Sequence, residues 1–168
     1  MSRSSEKEKR ELELEAAEVF LRWYQQQTQL KCQLIKSNLP AKPDVSCQIG
    51  NTRVDFEIAH LYGSETEAMQ ILGRELTPQT RAELLALTTT GNTQRRLHKA
   101  LARILQQKAG KHYQSQNVWL IIRNMHPQWR PLATVYNLRE CLLPYEHPFA
   151  QIWLIADRAG EDGALQLI

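Results

Sequence analysis

Residues 42–59 read KPDVSCQIGNTRVDFEIA, and this stretch decides the fold of the chain. Val45 to Ile49 and Thr52 to His60 are rich in strand-forming residues. Gly50-Asn51 lies between them and suits the positive φ angles of a tight turn. The stretch therefore predicts a β-hairpin.

Acidic residues interrupt the apolar pattern of this hairpin. Asp44 follows Pro43 at the start of the first strand, whereas Asp55 and Glu57 alternate with apolar residues on the second. A carboxylate in a buried strand is costly unless a cation or hydrogen bonds compensate its charge, so the paired acids suggest a divalent metal. The alternative is that they lie on the solvated face of an ordinary antiparallel hairpin.

The rest of the chain predicts further elements around the hairpin. Helical spacing of apolar residues predicts helices that pack on a sheet, and continuous apolar runs predict strands buried on both faces. The predicted elements are a helix at 5–27, an edge strand at 31–36, an insertion at 61–92, a helix from 92 or 93 to 110, strands at 117–122 and 151–156 with a helix at 132–143 between them, and a terminal strand at 165–168. A connection as long as the insertion is typical of a lid or a partner-binding segment. The predicted fold is α/β, a single domain over residues 1–168 with a central mixed β-sheet flanked by helices.

Length and composition set limits on the class of protein. At 168 residues the chain is long enough for one hydrophobic core and too short for two comfortable domains. No apolar run approaches the ~20 residues that span a bilayer, and the charged N-terminus leads into no apolar segment of the signal-peptide kind, so we expect a cytoplasmic protein. Cys32, Cys47 and Cys141 form no CxxC pair, which argues against a disulfide framework and against a structural zinc site.

Charge is distributed unevenly along the chain. No acidic residue occurs between Glu83 and Glu140, and the helix predicted in this interval is basic. Four of its residues are candidates for contact with the phosphates of a nucleic acid: Arg95, Arg96, Lys99 and Arg103. The alternative is a solvated helix face with no partner. In the interval after this helix, Trp129 is a candidate for stacking on a base.

The order of these elements resembles that of the restriction-endonuclease-like, or PD-(D/E)xK, nuclease superfamily. The resemblance covers roughly Glu11 to Ile122, with 151–156 as a later core strand, and leaves the insertion outside. It implies that Pro43-Asp44 is the PD element and that Glu57 is the acid of the (D/E)xK element. Both acids would then bind Mg²⁺ or Mn²⁺, because phosphodiester hydrolysis of this kind uses a cation held by hard oxygen ligands.

The resemblance also implies an acid on the first helix and a lysine two residues after the second acid. Glu18 is the first choice for the helix acid, as a support for the metal site, and Glu15 is the second choice. The expected lysine position is occupied by Ala59. This departure bears directly on whether the chain is catalytically active.

Two interpretations supply the missing group. In the first, the lysine comes from the following helix, as in some members of the superfamily, with Lys108 as first choice because it extends the apolar stripe, and Lys111 as second. In the second, the motif lies one step earlier, so that Asp55 is a metal ligand and Glu57 stands in the place of the lysine. A third interpretation is structural: the Lys108 stem covers the core while its ammonium group reaches solvent.

We therefore expect a Mg²⁺- or Mn²⁺-dependent phosphodiesterase that acts on nucleic acid, with DNA as first choice over RNA. The alternative is a catalytically degenerate domain of the same fold that serves as a nucleic-acid-binding or protein-interaction module. A further interpretation is an assembly subunit, a homodimer or a larger complex, that docks through residues 61–92. The sequence predicts neither the substrate's sequence nor the oligomeric state.

Overall fold

The computed structural model describes residues 3–38, 41–62, 93–126 and 146–168, with side chains described from residue 6 in the first helix and from residue 97 in the second. Its elements are α1 (Arg3–Thr28), β1 (Cys32–Ser37), β2 (Val45–Ile49), β3 (Thr52–Leu61), α2 (Thr93–Ala109), β4 (Val118–Asn124), β5 (Gln151–Ile155) and β6 (Ala164–Gln166). Most of the predicted insertion at 61–92, the predicted helix at 132–143 and Trp129 lie outside the described residues. No helix in the described part of the chain combines the length and apolar character needed to cross a membrane.

The six strands form one sheet in the order β1-β2-β3-β4-β5-β6. Antiparallel pairing joins β1, β2 and β3, parallel pairing joins β3, β4 and β5, and β6 returns antiparallel to β5. β1 lies at one edge, as its sequence predicts. The prediction of an α/β fold with a mixed sheet is confirmed.

Of the two helices that the structure describes, one covers each face of this sheet. Phe20 of α1 packs against Phe56, Trp119 and Trp153 in a cluster of buried residues on the first face. On the second face, α2 contributes its apolar stripe: Leu97, Ala100, Leu101 and Leu105. Because successive side chains of a strand point to opposite faces, this arrangement directs Val54, Phe56 and Ile58 toward α1 and Asp55, Glu57 and Ala59 toward α2.

The hairpin turn sets the register that brings two acids together. Gly50 adopts a φ of 59° in the turn, and the pairing runs from Ile49↔Thr52 to Val45↔Phe56. One further step in the same register sets Asp44 opposite Glu57. Side chains in directly opposed positions share a face and lie about 5 Å apart at Cβ. The length of the turn therefore determines that these carboxylates meet.

Candidate active site

Asp44 and Glu57 form a buried acid pair on the face of the sheet that α2 covers. Both residues are 0% exposed. Burial raises the pKa of Glu57, and the adjacent Asp44 carboxylate raises it further. Burial acts to raise the pKa of Asp44 as well, but hydrogen bonds from Glu57, Lys42 and the backbone of Ile58 outweigh it and lower that pKa. As the pH falls, Glu57 is therefore protonated before Asp44.

One oxygen of each carboxylate has a donor fixed by the fold. Asp44 Oδ2 accepts a hydrogen bond from the backbone N–H of Ile58 at 2.9 Å. Glu57 Oε2 accepts one from the hydroxyl of Tyr113 at 2.8 Å and lies 3.4 Å from Lys108 Nζ. These two oxygens are called here the outer oxygens. Their donors belong to β3 and to the end of α2 with the turn that follows it, so both carboxylates are held in orientation.

The other oxygens of the two carboxylates face the same lysine, Lys42. Lys42 Nζ donates to Asp44 Oδ1 and forms an ion pair with Glu57 Oε1 at 3.5 Å. Within the described ranges, Glu57 Oε1 accepts no hydrogen bond. We call Asp44 Oδ1 and Glu57 Oε1 the inner oxygens, because both are directed at a single cation.

Lys108 reaches the acid pair from α2. Its side chain is 17% exposed, and burial lowers its pKa, against the attraction of Glu57, which raises it. The structure thus places the first-choice lysine of the sequence analysis next to the carboxylate whose own strand carries Ala59. Lys111, the second choice, is exposed and lines the neighbouring cleft.

The helix acid nearest the pair is Glu13, which corrects the expectation for Glu18. Glu13 is 4% exposed, and burial, reinforced by the charge of Asp44, raises its pKa to about 6. Glu18 is exposed and borders a different depression together with Leu34, whereas Glu15, the second choice, forms an ion pair with Arg123.

Helical periodicity explains this correction. Glu13 stands three, four and seven residues before Ala16, Ala17 and Phe20, which all lie on the buried face of α1. Residues at those spacings share one side of a helix, whereas Glu18 lies on the other side. The signal for Glu13 was therefore present in the sequence, in the phase of its apolar neighbours.

Asp55 faces the same side as Glu57 but has its own partners. It lies 3.4 Å from Arg53 Nε and hydrogen bonds to Ser46 and Ser115. Burial acts to raise the pKa of Asp55, and these contacts together lower it. Asp55 thus has contacts of its own with Arg53, Ser46 and Ser115, and its role as a metal ligand in the alternative motif stays a prediction.

A cleft of about 440 Å³ opens beside the acid pair, between α1, β3 and α2. Four lysines line it: Lys9, Lys42, Lys108 and Lys111. Two of these, Lys42 and Lys108, also contact the fully buried acids, so the acids lie behind the lysines as seen from the cleft. Glu8 and Glu13 also line the cleft, so its lining carries more cations than acids, and Asp44 and Glu57 lie beneath it.

His60 also borders the cleft, and it lies on the opposite face of β3 from Glu57, as strand alternation predicts. Burial, together with the nearby Arg123 guanidinium, lowers the pKa of His60 to about 4. The imidazole is therefore neutral at pH 7.

The basic residues predicted for nucleic-acid contact lie on α2. Lys99 and Arg103 are exposed, so they are available to a partner. The side chains of Arg95 and Arg96 lie outside the described residues. The exposed pair is distinct from the lysines of the cleft, so α2 carries cations both on its outer surface and at its end.

Sequence reasoning missed three members of the site: Lys42, Glu13 and Tyr113. Lys42 stands two residues before Asp44, but it precedes β2, where no strand period indicates its direction. Tyr113 follows the end of α2, so no helical period indicates the direction of its side chain. The proximity of both to the acid pair depends on how the chain folds around β3.

The donor set can hold a cation, although it is small. Asp44 and Glu57 contribute hard carboxylate oxygens, the ligands that Mg²⁺ prefers. Their inner oxygens already meet at one ammonium group. No group of three or more histidine, cysteine, aspartate or glutamate side chains at metal-binding spacing occurs among the residues that the structure describes. Two protein ligands are typical of Mg²⁺ sites, where water and substrate oxygens complete the coordination.

Comparison with family models, with curated proteins and with solved structures found no significant match to this chain. The function must therefore be argued from the acid pair, its lysines and the cleft.

Proposed function

We propose that this chain is a Mg²⁺- or Mn²⁺-dependent phosphodiesterase of restriction-endonuclease-like fold that acts on nucleic acid, with DNA as first choice. The observation that carries the proposal is the position of Lys108, whose Nζ lies 3.4 Å from Glu57 Oε2. A lysine from α2 thus stands beside the second acid although Ala59 occupies the usual lysine position. An acid pair with an adjacent lysine is the minimal set that this chemistry needs.

The arrangement of secondary structure supports the same proposal. A helix, an antiparallel hairpin and a parallel strand pair follow one another, and the acids lie at the start of β2 and within β3. The restriction-endonuclease-like superfamily places its metal ligands at comparable points. Buried carboxylates are costly, so retaining two of them in contact suggests a role other than stability.

Asp44 and Glu57 would hold the metal through their inner oxygens. When bound, Mg²⁺ or Mn²⁺ would supply a Lewis acid for a phosphoryl oxygen and compensate the charge of the two carboxylates. Tyr113 and the Ile58 N–H keep the outer oxygens in place, which fixes the direction of the inner ones. Lys108 holds Glu57 Oε2 and supplies positive charge at the wall of the cleft, where a phosphate gains negative charge during hydrolysis.

Glu13 is suited to move a proton at this site. Its pKa of about 6 lies near neutrality, so its carboxylate can accept a proton and release it at physiological pH. Among the described residues, Glu13 Oε2 is buried and has no hydrogen-bond partner. A buried oxygen without a donor is available to a water or a substrate hydroxyl in the cleft.

The cleft and the outer surface of α2 would bind the phosphate backbone. Lys9 and Lys111 add charge at the cleft, and Lys99 and Arg103 extend the basic surface along α2. Contacts of this kind recognise phosphates without reading bases, and they weaken as salt rises. We expect substrate binding that depends strongly on ionic strength.

The test is hydrolysis of duplex DNA, single-stranded DNA and RNA in Mg²⁺ and in Mn²⁺, with wild-type protein beside Asp44→Asn. We expect Asp44→Asn to lower the rate at least about 100-fold, the usual scale for removing a group that organises the reacting charges. Glu18→Gln is the matched control, because it neutralises an exposed acid of α1 away from the pair. Hydrolysis that is unchanged by Asp44→Asn would contradict the site assignment.

A second candidate is the degenerate module that binds nucleic acid or protein without hydrolysis. The observation that favours it is charge balance: Lys42 and Lys108 together match the two carboxylates without any metal. This candidate predicts binding of DNA that is equal with Mg²⁺ and with a chelator, and no product on any of the three substrates. Metal-dependent hydrolysis that is lost in Asp44→Asn would exclude it.

A further inference from the structure

Lys42 differs from the donors described above in the carboxylate oxygens that it contacts. The outer oxygens are held by the backbone of β3, by Tyr113 and by Lys108. Each inner oxygen contacts Lys42. The metal proposed above needs the same inner oxygens, so the ammonium group and the ion would compete for one position.

The position of Lys42 allows it to move without unfolding the site. It precedes β2, its side chain is 29% exposed, and it lines the cleft. Lysine carries a compact, strongly hydrated charge on a flexible stem of four carbons. Its ammonium group can therefore swing into the cleft, whereas the N–H of Ile58 is fixed in the sheet.

Lys42 also stands between the acids and the opening. Asp44 and Glu57 are fully buried, and Lys42 contacts both of them on one side and the cleft on the other. An ion that arrives through the cleft meets this ammonium group before it reaches the inner oxygens. Two like charges attract the same carboxylates and repel one another, so they cannot occupy the position together.

We infer that the Lys42 ammonium group is the resting cation of the acid pair, and that a divalent ion binds only by displacing it into the cleft. This inference rests on the proposed metal site and goes beyond it, because it assigns Lys42 the control of metal affinity. Occupation of the pair is then an exchange of one cation for another. The apparent affinity for the metal is weakened by the free energy of the interaction that Lys42 loses.

The experiment is calorimetric titration of the full chain with MnCl₂ at pH 7. Lys42→Met removes the competing charge and keeps an unbranched stem. We expect it to lower the Kd for Mn²⁺ at least tenfold. Lys111→Met removes a charge from the same cleft but not from the inner oxygens, and we expect its Kd to stay within about threefold of wild type. Asp44→Asn added to Lys42→Met should abolish the gain, which places the bound ion at the pair.

A second readout does not depend on the heat of binding. Lys42→Met leaves the two carboxylates without their resting cation, so its melting temperature without metal should fall below that of wild type. Mn²⁺ should then raise the melting temperature of Lys42→Met more than that of wild type, because tighter binding to the folded state stabilises it more. If Lys42→Met does not fold, Lys42→Gln, which keeps a donor for the acids, replaces it in both measurements.

The outcomes separate this inference from the proposed function. Equal Mn²⁺ affinity in wild type and Lys42→Met, with binding lost in Asp44→Asn, would overturn the role of Lys42 and leave the phosphodiesterase proposal intact. Tighter binding in Lys42→Met by a protein that hydrolyses no substrate would support the role of Lys42 and remove the proposed activity. No Mn²⁺ binding in wild type, Lys42→Met or Lys42→Gln would overturn both.

Discussion

The two sides of β3 bury different kinds of side chain. Toward α1, Val54, Phe56 and Ile58 meet an aromatic cluster that contains Phe20 and two tryptophans. Toward α2, Glu57 is equally buried but meets a second acid and two lysines. Apolar burial stabilises the fold in proportion to its area, whereas buried charge is costly unless each group is compensated. The first side therefore serves stability alone, whereas the second combines apolar packing with the costly charges on which the proposed function rests.

Breaking the apolar side should have the largest effect on stability. Phe20 is 0% exposed and contacts rings from α1 and from three strands. Phe20→Ala removes this ring and leaves a cavity, so we expect a loss of about 3–5 kcal/mol in the free energy of unfolding. Urea denaturation followed by tryptophan fluorescence measures it. A loss below about 1 kcal/mol would show that the aromatic cluster contributes little.

Breaking the charged side should affect activity more than stability. For Lys108→Met we expect hydrolysis to fall about 100-fold or more, because the charge beside Glu57 is removed. The free energy of unfolding should fall by less than the ~3–5 kcal/mol that follows when a buried ion pair loses one partner, because Lys42 and Tyr113 still contact Glu57. Kinetics and urea denaturation of the same sample give both values.

Lys111→Met is the matched control for this prediction, because it removes a lysine from the same cleft. We expect its rate of hydrolysis to fall less than tenfold. If Lys111→Met lost as much activity as Lys108→Met, the positive charge of the cleft as a whole, rather than the contact with Glu57, would account for the effect.

The stability of the fold should depend on pH through His60, which borders the cleft. Its folded pKa of about 4 lies below the ordinary histidine pKa of 6.5, so between these values the unfolded chain binds the extra proton. The stability that neutral His60 allows is complete above pH 6.5 and is lost as pH falls toward 4. We expect this residue to account for a loss on the order of 1–3 kcal/mol.

His60→Gln measures the share of His60 in that pH dependence. The glutamine side chain does not titrate, so urea denaturation between pH 7 and pH 4 should show a smaller loss of stability than in wild type. Equal losses in the two proteins would assign the acid sensitivity to other groups, such as the acid pair.

The smallest expected effect is the difference in hydrolysis between variants of two acids of α1, Glu13 and Glu18. For Glu13→Gln we expect hydrolysis to fall about tenfold, at the lower end for a group that transfers a proton. For Glu18→Gln, on the exposed side of the same helix, we expect a change of less than twofold. The rates of the two variants at pH 7 provide the measurement. The reverse order would restore Glu18 as the helix acid and contradict the placement of Glu13 at the site.

The sequence predicted the fold better than it predicted the site. Boundaries of the helices and strands lie within about two residues of the expected ones, because apolar periodicity and the Gly50-Asn51 turn are local signals. The class of fold followed, since apolar runs at 117–122 and 151–156 require cover on both faces. At the site, the acids of the hairpin were a local signal, the resemblance then selected Asp44, Glu57 and Lys108 as candidates, and the structure brings these three together.

The helix acid marks the limit of local reasoning. Resemblance alone favoured Glu18, although the phase of Ala16, Ala17 and Phe20 places Glu13 on the buried side. Periodicity indicates which face of a helix a residue occupies, whereas a resemblance to a family gives no information about that face. A stricter use of the helical period would have chosen Glu13.

The sequence by itself determined that Asp44 and Glu57 lie opposite each other. A turn of fixed length imposes one register, and that register sets Asp44 opposite Glu57 whatever surrounds them. What only the tertiary structure decided is which cations meet the pair. Lys42 lies outside any strand or helix, and Lys108 is 51 residues from Glu57. The contact of Lys42 depends on the path of the chain before β2, and that of Lys108 depends on the packing of α2 against the sheet, neither of which a local pattern specifies.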